Sequence, residues 1–217
     1  MRYSEMIARE KIRARHHGEL PGGVKSLDLP RILANKGIWL IAGVLLLAFL
    51  SACSSTQYRD VKVPIATHGP VDLQRYQGLW YEIARFPNRF EEGCVGVTAE
   101  YSINPDGSVR VLNTCRQGTL DGPVEVAEGI ATSVSPDNDR LEVTFVPWLP
   151  FAKGDYWILS LTQDYSVVTV GNPSGTTGWV LARTPTLSDD ALAAAYDVLT
   201  ANGYDTNQIY LTPQVEN

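Results

Sequence analysis

One stretch of sequence decides the fold of this chain: Gly78-Leu79-Trp80-Tyr81-Glu82-Ile83-Ala84-Arg85. It is rich in aromatic and branched apolar side chains, which pack well on a pleated backbone, so it predicts a long β-strand. Pro87 ends this strand, because proline has no N–H group to donate to a ladder. The composition of the chain changes shortly before the strand, which places a domain boundary near residue 73.

Short apolar runs follow the first strand at fairly even spacing, separated by turn residues, and this pattern predicts an all-β barrel or sandwich. Ser188 then opens a helix as its N-cap, Gly203 ends the helix, and residues 208–211 form a short last strand. Eight antiparallel strands that close on themselves leave no sheet edge and can hold one small ligand. The predicted strands cover about residues 79–86, 94–103, 109–114, 124–134, 141–145, 155–162, 166–171 and 177–183.

The charge of the chain is distributed unevenly. Residues 1–52 hold eight Lys/Arg and four Asp/Glu, whereas residues 53–217 hold ten Lys/Arg and twenty Asp/Glu. An acidic domain without clustered cations is a poor nucleic-acid binder, so we expect no nucleic-acid partner. His68 is the last histidine, and the three cysteines form no Cys-x-x-Cys motif. We therefore expect no metal site, no cofactor and no histidine-based catalytic centre.

Residues 37–50 form an uncharged apolar run behind a basic segment. As a helix, this run would be about 21 Å long, which is too short for a hydrocarbon core of ~30 Å. A basic segment, a short apolar run and small residues behind it are typical of a secretory signal, here residues 1–52. A translation start annotated too far upstream would explain the unusual length of the basic segment. A short signal anchor and a plain secreted protein are the alternatives.

The residues that follow the apolar run, Leu50-Ser51-Ala52-Cys53, resemble the lipobox of bacterial lipoproteins. The resemblance implies that Cys53 is diacylated on its sulfur and becomes the mature N-terminus, and more than one acyl chain suffices for stable anchoring. Under enterobacterial sorting rules, Ser54 in place of aspartate implies the outer membrane, with the domain facing the periplasm. Residues 53–72 are mostly polar, so we interpret them as the lipidated N-terminus and a tether.

Three separated motifs resemble the lipocalin family, in the order that the family has them. Gly78-x-Trp80 opens the first strand, Asp164-Tyr165 lies between the sixth and seventh strands, and Arg183 ends the eighth. Longer matches around these motifs are similar to the branch that contains bacterial outer-membrane lipoprotein lipocalins and apolipoprotein D. A lone Gly-x-Trp would be a weak signal, but three ordered motifs are specific.

The resemblance implies an eight-stranded antiparallel up-and-down barrel, a calyx, followed by the helix and the ninth strand. It covers residues 73–213 and leaves 214–217 as a tail. It also implies a protein that binds and stores or transports small hydrophobic ligands, such as fatty acids or lysophospholipids, in the cell envelope. In this fold Trp80 would plug the closed end and Arg183 would lie against its indole, so we interpret the motif residues as structural.

A calyx binds its ligand through shape and apolar area, with few polar groups. Side-chain alternation and nearness to the mouth predict a set of ligand-binding residues. The alternative is that these side chains only fill the core of the barrel. The members of the set are Phe86, Phe90, Tyr101, Asn113, Phe145 and Trp148. The segment 146–151 is unusually apolar for a loop, so it either covers the mouth or meets a membrane or a partner subunit, which leaves a homodimer open.

The sequence contains no evident pair of nucleophile and base, so we predict a binding protein without catalytic residues and not an enzyme. Glu82 shares the parity of Trp80 and is expected inside the barrel. Because a buried carboxylate needs partners, we interpret it as part of a structural hydrogen-bond network. The alternatives are a lipocalin-fold enzyme acting on a lipid, and a docking or dimerising protein that uses the loop around Trp148.

Cys94 and Cys115 flank the hairpin of the second and third strands, and an exported protein favours a disulfide between them. If Tyr101 opposes Val109, however, the two cysteines fall on opposite faces of the hairpin. A β-bulge near Gly93 or Gly96 would bring them to the same face. The sequence favours the disulfide but leaves two free thiols open.

Overall fold

The structure, a computed structural model, describes residues 56–149 and 152–215. Within them the chain forms two α-helices, α1 (Leu73–Tyr76) and α2 (Asp189–Ala201), and two short 3-10 helices, Arg89–Glu91 and Thr206–Gln208. The nine strands are β1 (Gly78–Arg85), β2 (Cys94–Ile103), β3 (Val109–Gln117), β4 (Val124–Ser133), β5 (Arg140–Thr144), β6 (Gly154–Leu161), β7 (Val167–Gly171), β8 (Gly178–Ala182) and β9 (Tyr210–Leu211).

The strands form one antiparallel sheet that closes on itself. From β2 to β8 each strand pairs with the next along the chain, β8 pairs with β1, and β1 pairs back with β2. β9 adds to β1 beside this seam, with Ala84 opposite Leu211 and Arg85 opposite Tyr210. The prediction of an eight-stranded barrel with a C-terminal helix and a short ninth strand is confirmed.

The two ends of the barrel differ in what covers them. Asp72 caps α1 by accepting hydrogen bonds from the backbone N–H groups of Gln74 and Arg75, and Tyr76 of this helix is buried. The floor is the end that carries α1 and the loops 104–108, 134–139 and 162–166. The rim is the end that carries the loops 86–93, 118–123, 145–153 and 172–177.

Helix α2 covers part of the outer face of the barrel. Ser188 is its N-cap and accepts a hydrogen bond from the backbone N–H of Ala191 (3.3 Å). Gly203, beyond its C-terminus, has φ +84°, in the left-handed region that glycine adopts without strain. Ala195 and Leu199 are buried against outward-facing side chains of β6 and β8. This apolar cluster stabilises the fold from outside the wall and leaves the interior of the barrel to other residues.

A β-bulge in β1 changes which side chains face the interior. Trp80 and Glu82 face inward, and the pairing of β1 with β8 then shifts at Ile83. Because alternate side chains of a strand point to opposite faces, the extra residue turns Arg85 inward and Phe86 outward. The prediction that Phe86 faces the interior was wrong for this reason, since its ring is fully buried in the cluster beneath α2.

Residues 56–72 pack against the barrel and do not form the tether that their composition suggested. Tyr58 and Val71 are buried. At the rim the Tyr58 N–H donates to the Gly175 carbonyl oxygen (2.7 Å), and at the floor the Val71 N–H donates to the Asp137 carbonyl oxygen (2.8 Å). The segment therefore runs along the barrel from rim to floor, and the folded domain begins well before residue 73.

The C-terminal residues close the upper part of the seam between β1 and β2. These strands pair directly only where Gly78–Tyr81 meets Thr98–Tyr101. Beyond that point the Gln214 side-chain amide donates to the carbonyl oxygens of Glu82 and Val97 (both 2.8 Å). Gln214, which the sequence placed in a free tail, is thus part of the barrel wall.

The described residues contain no helix that is both long and apolar enough to cross a membrane. The predicted signal segment, residues 1–52, and the predicted lipidation site, Cys53, lie outside the described residues.

Candidate functional site

The floor of the barrel is plugged by Trp80, whose side chain is fully buried. Its Nε1–H donates to the Tyr76 carbonyl oxygen (2.8 Å) in α1. The Arg183 guanidinium carbon lies 3.8 Å from the centre of the Trp80 ring, a cation–π contact worth about 0.5–2 kcal/mol. Arg183 also donates to the carbonyl oxygens of Gln77 and Leu79 (both 2.8 Å), so it ties the end of β8 to the start of β1.

The other motif residues also hold the floor together. Gly78 has φ +92°, a backbone conformation that side chains rarely adopt. The Tyr165 hydroxyl accepts a hydrogen bond from the Asp72 N–H (2.9 Å), which fastens the start of α1 to the turn between β6 and β7. Asp164 accepts a hydrogen bond from the Ser166 N–H (3.1 Å) and shapes that turn. These contacts are structural, as the sequence reading expected of this set.

Above Trp80 the interior holds a layer of three tyrosines. The Tyr156 hydroxyl lies 2.8 Å from that of Tyr76 and 3.1 Å from that of Tyr101. Burial raises the pKa of all three phenols well above the ordinary value, so all three are neutral. The Trp179 ring stacks on Tyr156, with ring centres 6.4 Å apart.

Three of these four aromatic residues were not predicted from the sequence as ligand-binding residues. Tyr101 was in the predicted ligand set, whereas Tyr76, Tyr156 and Trp179 were not. A signal for the last two was present, because Tyr156 alternates with Ile158 in β6, and Trp179 alternates with Leu181 in β8.

Toward the rim the inner face of the barrel becomes accessible. Asn113 is half-buried, Ala127 is exposed and Phe145 is 42% exposed, and all three lie on the inward side of their strands or strand end. The Phe145 ring lies over Gly129, where an added Cβ would come within 2.9 Å of it. β4 pairs with β5 only over Ile130–Ser133, so the upper half of β4 has no strand partner on this side within the described residues. The interior is therefore open beside these side chains.

A buried ionic cluster lies just below the rim. Glu82 and Arg85 are each 2% exposed, and the Arg85 guanidinium and the Thr212 hydroxyl both donate to the same oxygen of the Glu82 carboxyl group. Arg85 also donates to the carbonyl oxygens of Glu91 and Cys94 (both 2.9 Å). Glu82 thus lies inside the barrel within a hydrogen-bond network. Arg85 was not expected there, because only the bulge in β1 turns it inward.

The cluster brings two carboxyl groups, those of Glu82 and Glu91, close to the single guanidinium of Arg85. Burial, together with the neighbouring Glu91 carboxylate, raises the pKa of Glu82 to about 8, although the Arg85 charge acts in the opposite direction. Burial is the largest influence on the pKa of Arg85 and lowers it, but the charge and hydrogen bond of Glu82, together with Glu91 and Tyr210, outweigh burial and raise the pKa. Glu91 in turn accepts a hydrogen bond from Trp179 Nε1 (3.0 Å), which joins the cluster to the aromatic layer.

Phe90 and Trp148 stand on the rim and do not line the interior. Each is 79% exposed, so little of either ring contacts the rest of the protein. Phe90 lies on the 3-10 helix Arg89–Glu91, which Asn88 caps. The predicted contact of these two rings with a ligand therefore stays a prediction. Phe151, the third aromatic residue near the mouth, lies outside the described residues.

A floor closed by Trp80 and Arg183, a closed antiparallel barrel and an accessible inner face together define a known architecture. The family description "Lipocalin-like domain" matches residues 71–214. The chain belongs to the lipocalin family. The resemblance carried by the three sequence motifs is therefore confirmed.

Individual proteins of known name are similar to this lipocalin over most of its length. It is 36% identical over 177 residues to the outer membrane lipoprotein Blc of Escherichia coli strain K12, which covers 81% of this chain and 96% of the relative. It is 32% identical over 187 residues to apolipoprotein D of Macaca fascicularis, covering 79% and 96%. Lobster apocrustacyanin A1 aligns with a TM-score of 0.54 at 16% identity, over 71% of this chain and 94% of that one, which shows the shared fold alone.

In this lipocalin a disulfide joins Cys94 and Cys115, whose Cα atoms are 5.4 Å apart. The strand register assumed from the sequence was wrong, because Tyr101 opposes Val111. The pairing of β2 with β3 then shifts at Gly96, and this bulge brings both cysteines to the inward face. The disulfide thereby ties the rim ends of β2 and β3 together.

The described part of this lipocalin holds no group of three or more His, Cys, Asp and Glu side chains that could bind a metal ion. Glu82, whose carboxyl pKa is raised to about 8, accepts hydrogen bonds from Arg85 and Thr212. The site thus consists of a plugged floor, a neutral aromatic layer and an open upper interior.

Proposed function

We propose that this lipocalin binds small hydrophobic ligands inside its barrel and stores or transports them in the bacterial cell envelope. One observation carries the proposal: Trp80 closes the barrel at the floor, whereas the inner face of β3 to β5 is accessible toward the rim, beside Asn113, Ala127 and Phe145. An eight-stranded barrel encloses a space just wide enough for one narrow ligand. Fatty acids and lysophospholipids, each with an extended acyl chain, fit such a space.

The proposed ligand lies above the tyrosine layer. Tyr101 contacts its inner end, and Asn113 and Phe145 contact the part nearer the rim. Because the phenol hydroxyls of the layer bond to one another, the base of this space offers mainly ring faces, which suit an acyl chain. Asn113 adds a polar group to this part of the wall, as expected where a few polar groups orient a ligand.

Two neighbouring residues of β4 allow a matched test of this site. Ala127 faces inward opposite Asn113, whereas Val126 faces outward and is 60% exposed. Ala127→Trp should fill the upper interior and weaken the binding of oleic acid at least ~10-fold, equivalent to about 1.4 kcal/mol. Val126→Trp adds the same ring outside the wall and should leave affinity unchanged. Displacement of a fluorescent fatty acid measures both.

Equal affinities for the two tryptophan variants, both folded by circular dichroism, would place the ligand elsewhere. An enzymatic role for Glu82 predicts instead that a lipid is turned over and that Glu82→Gln abolishes the turnover. We rank this role lower, because the Glu82 carboxylate is buried and already bonded to Arg85 and Thr212.

We also propose that the domain is attached to the outer membrane, facing the periplasm, through acyl chains on Cys53. The sequence Leu50-Ser51-Ala52-Cys53 supports this, and so does the relative from Escherichia coli that is named an outer membrane lipoprotein. In cells fed radioactive palmitate, the wild-type protein should be labelled, and Cys53→Ala should lose the label and leave the membrane fraction. Equal labelling of the Cys53→Ala variant contradicts the anchor.

A further inference from the structure

We infer that the rim of the barrel faces the membrane that holds the anchor, and that Phe90 and Trp148 contact its lipid head-group region. The inference rests on the proposed lipidation of Cys53. It adds an orientation and a docking surface, which the proposed function does not contain. The rim surface is defined here as Phe90 and Trp148 together with the described residues around them, 86–93 and 145–149.

The described chain begins at the rim and is fixed there. The Gln57 side-chain amide donates to the Ser174 carbonyl oxygen (2.9 Å), and the Tyr58 N–H donates to the Gly175 carbonyl oxygen (2.7 Å), both in the rim loop 172–177. The Tyr58 hydroxyl donates to the Pro87 carbonyl oxygen (2.6 Å) in the neighbouring rim loop. The start of the domain is thus held between two loops of the same end.

The next residue strengthens this attachment. Arg59 is 5% exposed, and its guanidinium donates to the carbonyl oxygens of Asn202 and Pro173 (both 2.8 Å). Because Arg59 is buried and bonded to two separate segments, residues 57–59 cannot peel away from the rim without breaking several contacts. The reach between Cys53 and the domain is therefore limited by the number of residues that separate Cys53 from Thr56.

That reach is short. Two residues, Ser54 and Ser55, separate Cys53 from Thr56, and the three steps of an extended chain, at most ~3.6 Å each, span about 11 Å. The ten residues of β2 run from rim to floor and span about 30 Å, or about 23 Å along the axis at the usual strand tilt. A lipid on Cys53 can therefore enter a bilayer that the rim faces but cannot reach one that the floor faces.

The rim surface has the chemistry of a membrane-contacting surface. Phe90 and Trp148 are each 79% exposed, and aromatic rings of this kind favour the head-group level of a bilayer. The four rim loops carry Arg89 and Lys153 against Glu91, Glu92 and Asp121, so the rim is nearly neutral although the domain is acidic. A neutral rim avoids the repulsion that anionic lipids would exert on the rest of the surface.

Single fluorescent labels test this orientation in the full-length lipidated protein. Cys53 is blocked by its lipid and Cys94 is bonded to Cys115, so an introduced cysteine is the reactive thiol. The environment-sensitive dye NBD is attached at Phe90→Cys, at Trp148→Cys, or at the control position Val134→Cys. Val134 is 53% exposed on the floor loop 134–139. The proteins are reconstituted in vesicles of phosphatidylethanolamine and phosphatidylglycerol.

We expect the labels at positions 90 and 148 to shift to shorter emission wavelengths and to lose at least half of their intensity when brominated lipids are included. The label at 134 should change in neither respect. Quenching at 134 equal to that at 90, or no quenching at either rim position, overturns the inference. A blue shift at the rim that appears without vesicles and grows with protein concentration also overturns it, because a second copy then covers the rim.

Fatty-acid binding is measured on the same labelled proteins. If no fatty acid binds but the rim labels are quenched, the proposed ligand-binding function fails and the orientation stands. If fatty acid binds but the rim labels are not quenched, the orientation fails and the ligand-binding function stands.

Discussion

Trp80→Ala should lower the free energy of unfolding by about 3–5 kcal/mol, because it removes a large aromatic ring from a fully buried position. The substitution also removes the Nε1–H donor to Tyr76 and the ring beneath the Arg183 guanidinium. Three elements meet at this ring: α1, the start of β1 and the end of β8. Urea unfolding followed by far-UV circular dichroism measures the loss.

Trp148→Ala is the matched control for this experiment. It removes the same ring from a site that is 79% exposed, so the expected change is within about 0.5 kcal/mol. Trp80→Phe should fall between the two, since it keeps a ring under Arg183 but loses the hydrogen bond to Tyr76. Similar losses for Trp80→Ala and Trp148→Ala would show that the floor plug does not hold the barrel together.

The fold could be predicted from the sequence because its signals are local. Ser188 as N-cap and Gly203 as the stop lie close to the helix that they delimit, and the strands are separated by turn residues. The contact between Trp80 and Arg183 at the floor was predicted differently, because it spans distant parts of the chain and was implied by the resemblance to the lipocalin motifs.

The candidate site was harder to predict, because one extra residue in a strand reverses the inward or outward direction of every later side chain in that strand. Counting by twos from Trp80 is right for Glu82 but wrong for Phe86, since the bulge at Ile83 lies between them. The same kind of shift at Gly96 decides where the cysteines face. A bulge depends on how two strands pair, which a single strand's sequence does not reveal.

The N-terminal segment was misread for a different reason. Its composition is polar, which is typical of a tether, but Tyr58 and Arg59 are buried by residues far away in the chain. Arg59 bonds to Asn202, which is 143 positions further along. The composition of a segment does not reveal which distant residues it contacts, because those contacts exist only in the folded barrel. The correction matters for function, because it shortens the link to the proposed anchor.

Raising the pH from about 5.5 to about 8.5 should lower the free energy of unfolding by about 2–4 kcal/mol through Glu82. Burial and Glu91 raise the pKa of Glu82 from 4.5 to about 8, so the native state keeps a proton that the unfolded chain releases. The native state is therefore favoured most at low pH, and this advantage is lost as the pH rises through about 8. Urea unfolding at the two pH values measures it.

Glu82→Gln isolates this effect, because its side chain resembles the protonated acid and does not titrate. The variant should lack the loss of stability between the two pH values, while keeping a hydrogen-bonding side chain beside Arg85 and Thr212.

Glu91→Gln removes the nearby anion that helps to raise the pKa of Glu82, so it should make the loss smaller and shift it to lower pH. If Glu82→Gln keeps the full wild-type pH dependence, another group carries it. If Glu91→Gln alone leaves the dependence unchanged, burial is sufficient to hold the proton. Agreement of both variants with expectation would show that the cluster below the rim holds a proton that the unfolded chain releases.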